Sequence, residues 1–319
     1  MAGNRTFDAE LATEAVADAT QLALRAAQWT AHVALHSGIF TRAQLRAWLG
    51  KPSANAERAE ASRIITSLRD LGLAAEGDLG DIGWYMHIHG KPVYRALGEP
   101  DNRNRRRPGR EKAIERLLCL DYVLDHPDEA WLPTEGGKTQ ACEEAGIDRW
   151  MWPKKVYPGK DGESETTRYF VEKFPLAVDL DGRRAVAACV SPGTTTARLK
   201  SWLETYGPLL EALGRTGFAL TLLHVSARPE IEESAARELE RAAGKLGSGD
   251  PEEAEMERIR NAIRACTEES LESVGGLTQA LETVRKINAR RARGDAATPV
   301  QVTTRTWTST RIADQESGE

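Results

Sequence analysis

The sequence has few cysteines and no long apolar run, and both absences narrow the class of protein. No CxxC pair occurs among the four cysteines, so we expect free, mainly buried thiols rather than a disulfide framework or a zinc ribbon. No stretch approaches the roughly 20 apolar residues that cross a bilayer, and the N-terminal residues lack the apolar core of a signal peptide. We therefore expect a cytoplasmic protein without membrane association.

An excess of positive charge is also missing. The 319 residues contain 43 Lys and Arg against 48 Asp and Glu, which gives a formal net charge of −5. This balance argues against a protein that coats nucleic acid nonspecifically, so any DNA contact must come from a local basic patch. With 40% hydrophobic residues, the chain is long enough for two compact domains with their own cores.

The segment FTRAQLRAWL carries the signals of a helix start. Thr41 is an N-cap residue, and Gln44, three positions later, completes a capping box. The apolar residues that flank the cap, Phe40 and Leu45, can pack together as a hydrophobic staple. We therefore predict a helix that begins at Arg42.

A second amphipathic helix is predicted over residues 56–71, with Gly72 as its stop signal. At 100° per residue its apolar and polar residues fall on opposite arcs. The apolar arc contains Ala61, Ile64, Leu68 and Leu71, and the polar arc contains Arg58, Ser62, Thr66 and Arg69. Two strands, over residues 73–76 and 84–89, are predicted around a turn rich in Gly and Asp.

This order of elements is typical of a winged helix-turn-helix, which we predict over residues 25–100 after a helical arm at 1–24. Its second helix would then enter the major groove of DNA, although any exposed helix shows a polar face. A basic run at 101–110 would either bind DNA phosphates or serve as a solvated linker. The predicted DNA-binding residues are Arg42, Arg58, Ser62, Arg63, Thr66, Arg69, His87, Arg103, Arg105, Arg106, Arg107 and Arg110.

Residues 111–228 predict an α/β domain with the order α-β-β-β-α-β around one sheet. The predicted helices cover residues 111–125 and 197–213. Strands are predicted near 130–133, on both sides of Asp181-Gly182, and over 218–226. The Asp-Gly pair predicts a type I′ hairpin turn.

A winged helix followed by this α/β unit resembles the plasmid replication-relaxation family. Residues 187–210, AACVSPGTTTARLKSWLETYGPLL, look like the strand, Gly-Thr turn and helix of that family, and the resemblance covers about residues 25–230. It implies a second domain with a restriction-endonuclease-like fold. It also implies a protein of a plasmid or integrative element that acts on the DNA of that element, with replication, transfer or recombination proteins as candidate partners.

The acidic residues of a nuclease site are degenerate in this chain. Cys189 and Ser191 stand where the family commonly has Glu and Asp. Asp179 remains, but turn chemistry alone favours Asp at a hairpin tip. We therefore predict no catalytic residue, no metal site and no cofactor. The pair His87 and His89 could share a metal, but no third ligand lies at a readable spacing.

Beyond the α/β domain, residues 229–293 predict long helices and residues 294–319 a mobile tail. Apolar residues recur at 3-4-3 spacing in the last helix, at Val274, Leu277, Leu281 and Val284. This seam would either pack on its own domain or join two protomers in a homodimer.

The sequence as a whole indicates a non-enzymatic, sequence-specific protein that binds double-stranded DNA. Two alternatives stay open. One is a nickase or relaxase whose metal ligands come from positions such as Glu135, Glu172 or Asp179. The other is an adaptor that docks proteins through its winged helix.

Overall fold

The computed structural model describes residues 9–51, 53–80, 83–158, 165–248, 251–272, 274–293 and 300–312. Helices and strands are mixed along the chain, which confirms the predicted α+β class. The chain forms two compact units. Unit 1 contains the described residues up to Leu124 together with Arg311 and Ile312, and unit 2 contains Asp125–Thr310. No described helix is both long and apolar enough to cross a membrane.

Unit 1 is a group of helices beside a small antiparallel sheet. Its elements are α1 (Ala9–His36), β1 (Ile39–Phe40), α2 (Arg42–Leu49), α3 (Ala54–Asp70), β2 (Ala74–Asp78), β3 (Trp84–Ile88), α4 (Lys91–Ala96) and α5 (Arg110–Asp125). The strand order is β1-β3-β2, and both neighbours of β3 run antiparallel to it.

Local capping explains where α2 and α3 begin. The predicted capping box is present, since the Thr41 side chain accepts from the Gln44 backbone N and the Gln44 side chain accepts from the Thr41 backbone N. Gly50, with φ 54°, follows the last residue of α2 in the left-handed conformation. Helix α3 begins two residues earlier than predicted because the Ser53 hydroxyl caps it by accepting from the Ala56 N.

The core of unit 1 lies between the helices and one face of the sheet. Trp29 and Val33 of α1, Leu45 of α2 and Ile64 of α3 are fully buried together. Alternate residues of β3 point to opposite faces, and Met86 and Ile88 belong to this core. Burying a large apolar side chain contributes about 1.5–3 kcal/mol, so the shared cluster fixes α3 against the rest of the unit.

The boundaries predicted for unit 1 differ from the structure. A single helix crosses the expected boundary at residue 24, so there is no separate arm within residues 9–36, and residues 1–8 lie outside the described part of the chain. The basic run at 101–110 is not an extended linker, because the buried Asn104 side chain donates to the backbone oxygens of Ala34 and Leu35.

Helix α5 also packs in unit 1 rather than in the α/β domain to which the sequence assigned it. The Gln44 side chain donates to the Leu117 backbone oxygen at 2.8 Å, and Leu120 lies in the core of unit 1. The apolar face of α5 predicted a core contact, but sequence order alone did not reveal which core it meets.

Unit 2 contains a four-stranded mixed sheet and a separate hairpin. Its elements are α6 (Glu135–Glu144), β4 (Lys154–Pro158), β5 (Glu165–Tyr169), β6 (Leu176–Asp179), β7 (Arg184–Ser191), α7 (Ala197–Arg215), β8 (Ala219–Ser226), α8 (Glu232–Ser248), α9 (Pro251–Ala265), α10 (Glu268–Glu272), α11 (Gly276–Ala292) and β9 (Val302–Thr308). The sheet order is β6-β7-β8-β9, and β4 pairs with β5 apart from it. Strands β7, β8 and β9 are parallel, and β6 is antiparallel to β7.

Three details of unit 2 correct the sequence predictions. Four residues connect β6 to β7, and Arg183 holds the left-handed conformation (φ 49°), so the two-residue type I′ turn was wrong. The strand predicted near residue 131 is a single bridge from Trp131 to Ala177. Strand β9 lies within the segment predicted to be a mobile tail, where it pairs with β8 over seven residues.

The apolar seam predicted in the last helix is divided between core and surface. Val274 is buried with Ile259 of α9, and Val284 packs against the same cluster. Leu277 and Leu281 remain 50% and 46% exposed. Half of the seam therefore packs within the chain, while a homodimer through this helix stays a prediction. The four cysteines are not joined in disulfides, as predicted; Cys119, Cys142 and Cys189 are buried, and Cys266 is exposed.

Candidate nucleic-acid interface

The exposed face of α3 carries cations and small polar groups. Its exposed positions between residues 55 and 67 are Asn55, Ala56, Arg58, Ala59, Arg63, Thr66 and Ser67, and Ser62 is half-buried beside them. No carboxylate occupies an exposed position in this range. The polar face predicted from the sequence is therefore accessible, and it presents positive charge in a chain that is acidic overall.

The two glutamates of α3 are held away from this face by ion pairs within unit 1. Glu57 pairs with Arg46 of α2 at 3.3 Å. Glu60 lies 3.0 Å from both Arg25 of α1 and Lys51. Burial opposes ionisation of Glu60, but hydrogen bonds from Lys51 and Arg25 together hold its pKa below the ordinary value. Glu60 is therefore charged at neutral pH and neutralised by its partners.

This pairing sorts the arginines of unit 1 into two groups. Arg25 and Arg46 are used to fix α3 against α1 and α2. Arg58 and Arg63 make no ion pair with any residue that the structure describes. Exposed guanidinium groups can donate two parallel hydrogen bonds to guanine or phosphate, so Arg58 and Arg63 are the available cations of α3.

Arg69 is exposed as predicted but has acidic neighbours. Its side chain lies 3.6 Å from Glu76 and 3.8 Å from Asp70, in pairs that are more than half exposed. Exposed pairs of this kind contribute little to stability. They do reduce the net charge at this end of α3, which makes Arg69 a weaker candidate than Arg58 and Arg63.

A cation–π contact joins α2 to the β2–β3 hairpin. The Arg42 guanidinium carbon lies 5.4 Å from the centre of the Trp84 ring. Arg42 is exposed, and Trp84 is 42% exposed. Sequence reasoning placed Trp84 on the strand but not in the site. Its alternation with Met86 and Ile88 was the signal that it lies on the helix side of the sheet.

His87, which the sequence analysis predicted to contact DNA, does not lie on an exposed face. Its side chain is buried in the sheet, and Nε2 lies 2.9 Å from the backbone oxygen of Asn104. Burial lowers the pKa of His87, and the hydrogen bond to Asn104 offsets this only in part. The neutral ring supports the backbone at Asn104 rather than a phosphate. The neighbouring His89 is exposed.

The basic run is anchored and only partly available. Arg106, Arg107 and Arg110 are exposed, whereas Arg103 and Arg105 are half-buried. Arg105 donates to the Pro100 backbone oxygen at 2.9 Å. Since Asn104 is fixed to α1, the three exposed arginines project from a folded segment and not from a loose linker.

Two of the side chains considered for a nuclease site in unit 2, Asp179 and Glu135, have structural partners. The Asp179 carboxylate accepts from the Gly182 N at 2.8 Å and pairs with Arg184 at 3.0 Å, and these contacts lower its pKa. Glu135 accepts from the Tyr169 N at 3.3 Å. In the described part of the chain no three His, Cys, Asp or Glu side chains are grouped as metal ligands.

Two further sequence features of unit 2 are buried: the β7 positions where the family commonly has acidic residues, and the lysine of the Gly-Lys-Thr segment. Cys189 and Ser191 of β7 are buried. Lys138, in the Gly-Lys-Thr segment, is also buried and donates to the Phe174 backbone oxygen at 2.6 Å. Its ammonium group is thus held by the protein's own backbone, unlike the lysine of a phosphate-binding loop.

No family model, curated protein or solved structure matches this chain.

Proposed function

We propose that the chain is a non-enzymatic protein that binds a specific sequence of double-stranded DNA through unit 1. In this proposal unit 1 is a winged helix-turn-helix, α3 is the recognition helix, and the β2–β3 hairpin is the wing. The element order α1-β1-α2-α3-β2-β3 and the strand order β1-β3-β2 support this interpretation.

The observation that carries the proposal is the charge on the exposed face of α3. Arg58 and Arg63 are exposed without ion-pair partners among the described residues, while Glu57 and Glu60 are neutralised by cations of unit 1. Arginine reads guanine edges, and hydroxyl groups such as that of Thr66 bond to either bases or phosphates. Arg106, Arg107 and Arg110 would make further contacts to the DNA backbone.

The resemblance to the plasmid replication-relaxation family extends the proposal to unit 2 and to its biological setting. Unit 2 would be a nuclease-like scaffold without catalytic activity, supported by the buried Cys189 and Ser191 on β7. The protein would act in the cytoplasm on the DNA of a plasmid or integrative element, in replication, transfer or regulation. A homodimer through α11 would suit a palindromic site, because two half-sites raise affinity.

Fluorescence anisotropy with labelled duplexes tests this function directly. The duplexes, or tiles, cover two regions in overlapping pieces: the DNA upstream of the gene, and the replication origin of its element. Each tile is titrated at several salt concentrations. We expect one tile to bind well above the others, with a steep decrease of log K against log salt. Uniformly weak binding to every tile would contradict the proposal.

A second candidate function is docking of a protein partner, and an apolar groove of unit 1 favours it. The groove has a volume of about 510 Å³ between α1, α3 and α4, and Leu22, Leu71 and Leu97 are among its lining residues. Leu71 is 70% exposed. An adaptor would show no salt-sensitive DNA affinity in the same titrations, and its stable complex with a purified partner would be lost in Leu71→Lys.

A further inference from the structure

Trp84 has an unusual position for a large aromatic residue. It begins β3 and points to the same sheet face as Met86 and Ile88, which are fully buried against the helices. Trp84 lies beyond this buried layer and is 42% exposed. The ring is therefore open on the side of the sheet where α2 and α3 lie, and Arg42 covers part of it.

The Trp84 ring restricts where the Arg42 guanidinium can lie. Trp is the strongest cation–π partner, and an exposed contact of this kind contributes about 0.5–1 kcal/mol. A guanidinium that stacks on a ring still has its N–H donors available for a planar acceptor. Stacking thus lowers the entropy that Arg42 would lose on binding an anion.

Among the described residues, no carboxylate forms an ion pair with the Arg42 guanidinium. The nearest acidic position by strand register is Asp78, which pairs with Trp84 across the hairpin. The Asp78 carboxylate accepts from the Gly80 N at 2.8 Å and so stabilises the turn. Within the described residues Arg42 therefore has an aromatic support and no anionic partner.

We infer that Arg42, supported by Trp84, binds a backbone phosphate of the DNA whose bases α3 reads. We call this pair the clamp. In the clamp Arg42 contacts the phosphate, and Trp84 is a positioning residue that holds the Arg42 guanidinium. The inference rests on the proposed function and adds a phosphate contact that joins α2 to the hairpin. Phosphate contacts fix the register of a protein on the duplex without reading its sequence.

The test uses anisotropy titrations of the full chain on its best duplex and on a scrambled duplex. Arg42→Ala should weaken binding to both duplexes by a similar factor, about 5- to 20-fold, and should reduce the log–log salt slope by about 1. Trp84→Ala should weaken binding by about 3-fold, and Trp84→Phe should retain most of the wild-type affinity because it keeps an aromatic ring.

A double-mutant cycle separates positioning by Trp84 from a direct contact. In the Arg42→Ala background, Trp84→Ala should have no further effect, since the residue that it positions is gone. An equal loss in both backgrounds would overturn the positioning role, and an unchanged salt slope in Arg42→Ala would overturn the phosphate contact. Thermal melting should show that both exposed substitutions leave the protein folded.

The failure of this clamp and the failure of the proposed function have different signatures. If wild-type protein binds no duplex, the function and the clamp are both overturned. If wild-type protein selects one duplex and Arg42→Ala behaves like wild type, the clamp alone is overturned.

Discussion

Arg311 donates a hydrogen bond of 2.7 Å to the carboxylate of Asp121, which is fully buried in unit 1. The same carboxylate oxygen accepts from the Gln44 side chain at 3.3 Å. Gln44 in turn closes the capping box at Thr41, where α2 begins. A residue 190 positions along the chain from Asp121 thus stabilises the network that fixes the start of α2, because a buried carboxylate needs a cationic partner.

Removal of Arg311 should destabilise unit 1. In Arg311→Ala the buried Asp121 carboxylate keeps the Gln44 contact but loses the ion pair with Arg311. We expect a decrease in the free energy of unfolding of roughly 3 kcal/mol, at the low end for broken buried pairs because the Arg311 side chain is 25% exposed. Urea unfolding, followed by circular dichroism, measures it.

The control for this variant is Arg237→Ala. Arg237 pairs with Glu233 on the surface of α8, where both side chains are mostly exposed, so the change should stay within about 0.5 kcal/mol. Equal stabilities of Arg311→Ala and the control would show that the Asp121 network does not hold unit 1.

Because of Glu60, the free energy of unfolding of unit 1 should depend on pH in the acidic range. Its folded-state pKa is lowered, so its contribution is fully present above the ordinary glutamate pKa and is lost as pH falls through the folded value. Glu60→Gln should cost about 2 kcal/mol at pH 7, since hydrogen bonds to a charged group are lost. The difference between wild type and variant should shrink as the pH falls below the ordinary glutamate value of 4.5. A pH-independent difference in urea midpoints would contradict this role.

Because of His224, the stability of unit 2 should also depend on pH, over a higher pH range than that of Glu60. The side chain is 1% exposed, its Nε2 has no hydrogen-bond partner among the described residues, and burial lowers its pKa to about 4. In the unfolded chain this histidine has the ordinary pKa of 6.5. The unfolded state therefore binds a proton that the folded state does not, and the free energy of unfolding should fall by about 3 kcal/mol as the pH is lowered from 6.5 to 4.

His224→Leu should remove that decrease, because no group at this position then takes up a proton. Urea midpoints from pH 7 to pH 4 measure the effect. His89→Ala, a change at an exposed histidine of unit 1, serves as the control and should keep the wild-type slope. Parallel slopes in His224→Leu and wild type would show that another group causes the dependence.

The first helices of unit 1 were predictable because their signals are local. The capping box at Thr41 and Gln44 fixes the start of α2 within four residues of sequence. The same Gln44 side chain also contacts Leu117 and Asp121, and no local pattern shows those partners. Strand β9 was missed for the same reason, since its pairing with β8 joins positions 82 residues apart at Thr221 and Thr303.

The candidate site was predictable in part. Helical periodicity identified the face that carries Arg58, Arg63 and Thr66. Periodicity does not show which cations already have partners, so the weaker position of Arg69 beside Glu76 appears only in the structure. His87 was misplaced because the segment around Asn104 covers its side of the sheet, and that contact spans 17 residues.

The role of α3 is tested most directly by the ratio of affinities for the selected and the scrambled duplex. In Arg58→Ala/Arg63→Ala we expect this ratio to fall by about 30-fold or more, because each of the two bidentate contacts to bases would contribute about 1–3 kcal/mol of discrimination. Arg237→Ala/Arg285→Ala removes two exposed arginines of unit 2 and should keep the wild-type ratio. A wild-type ratio in the α3 variant, with its fold intact, would contradict recognition by α3.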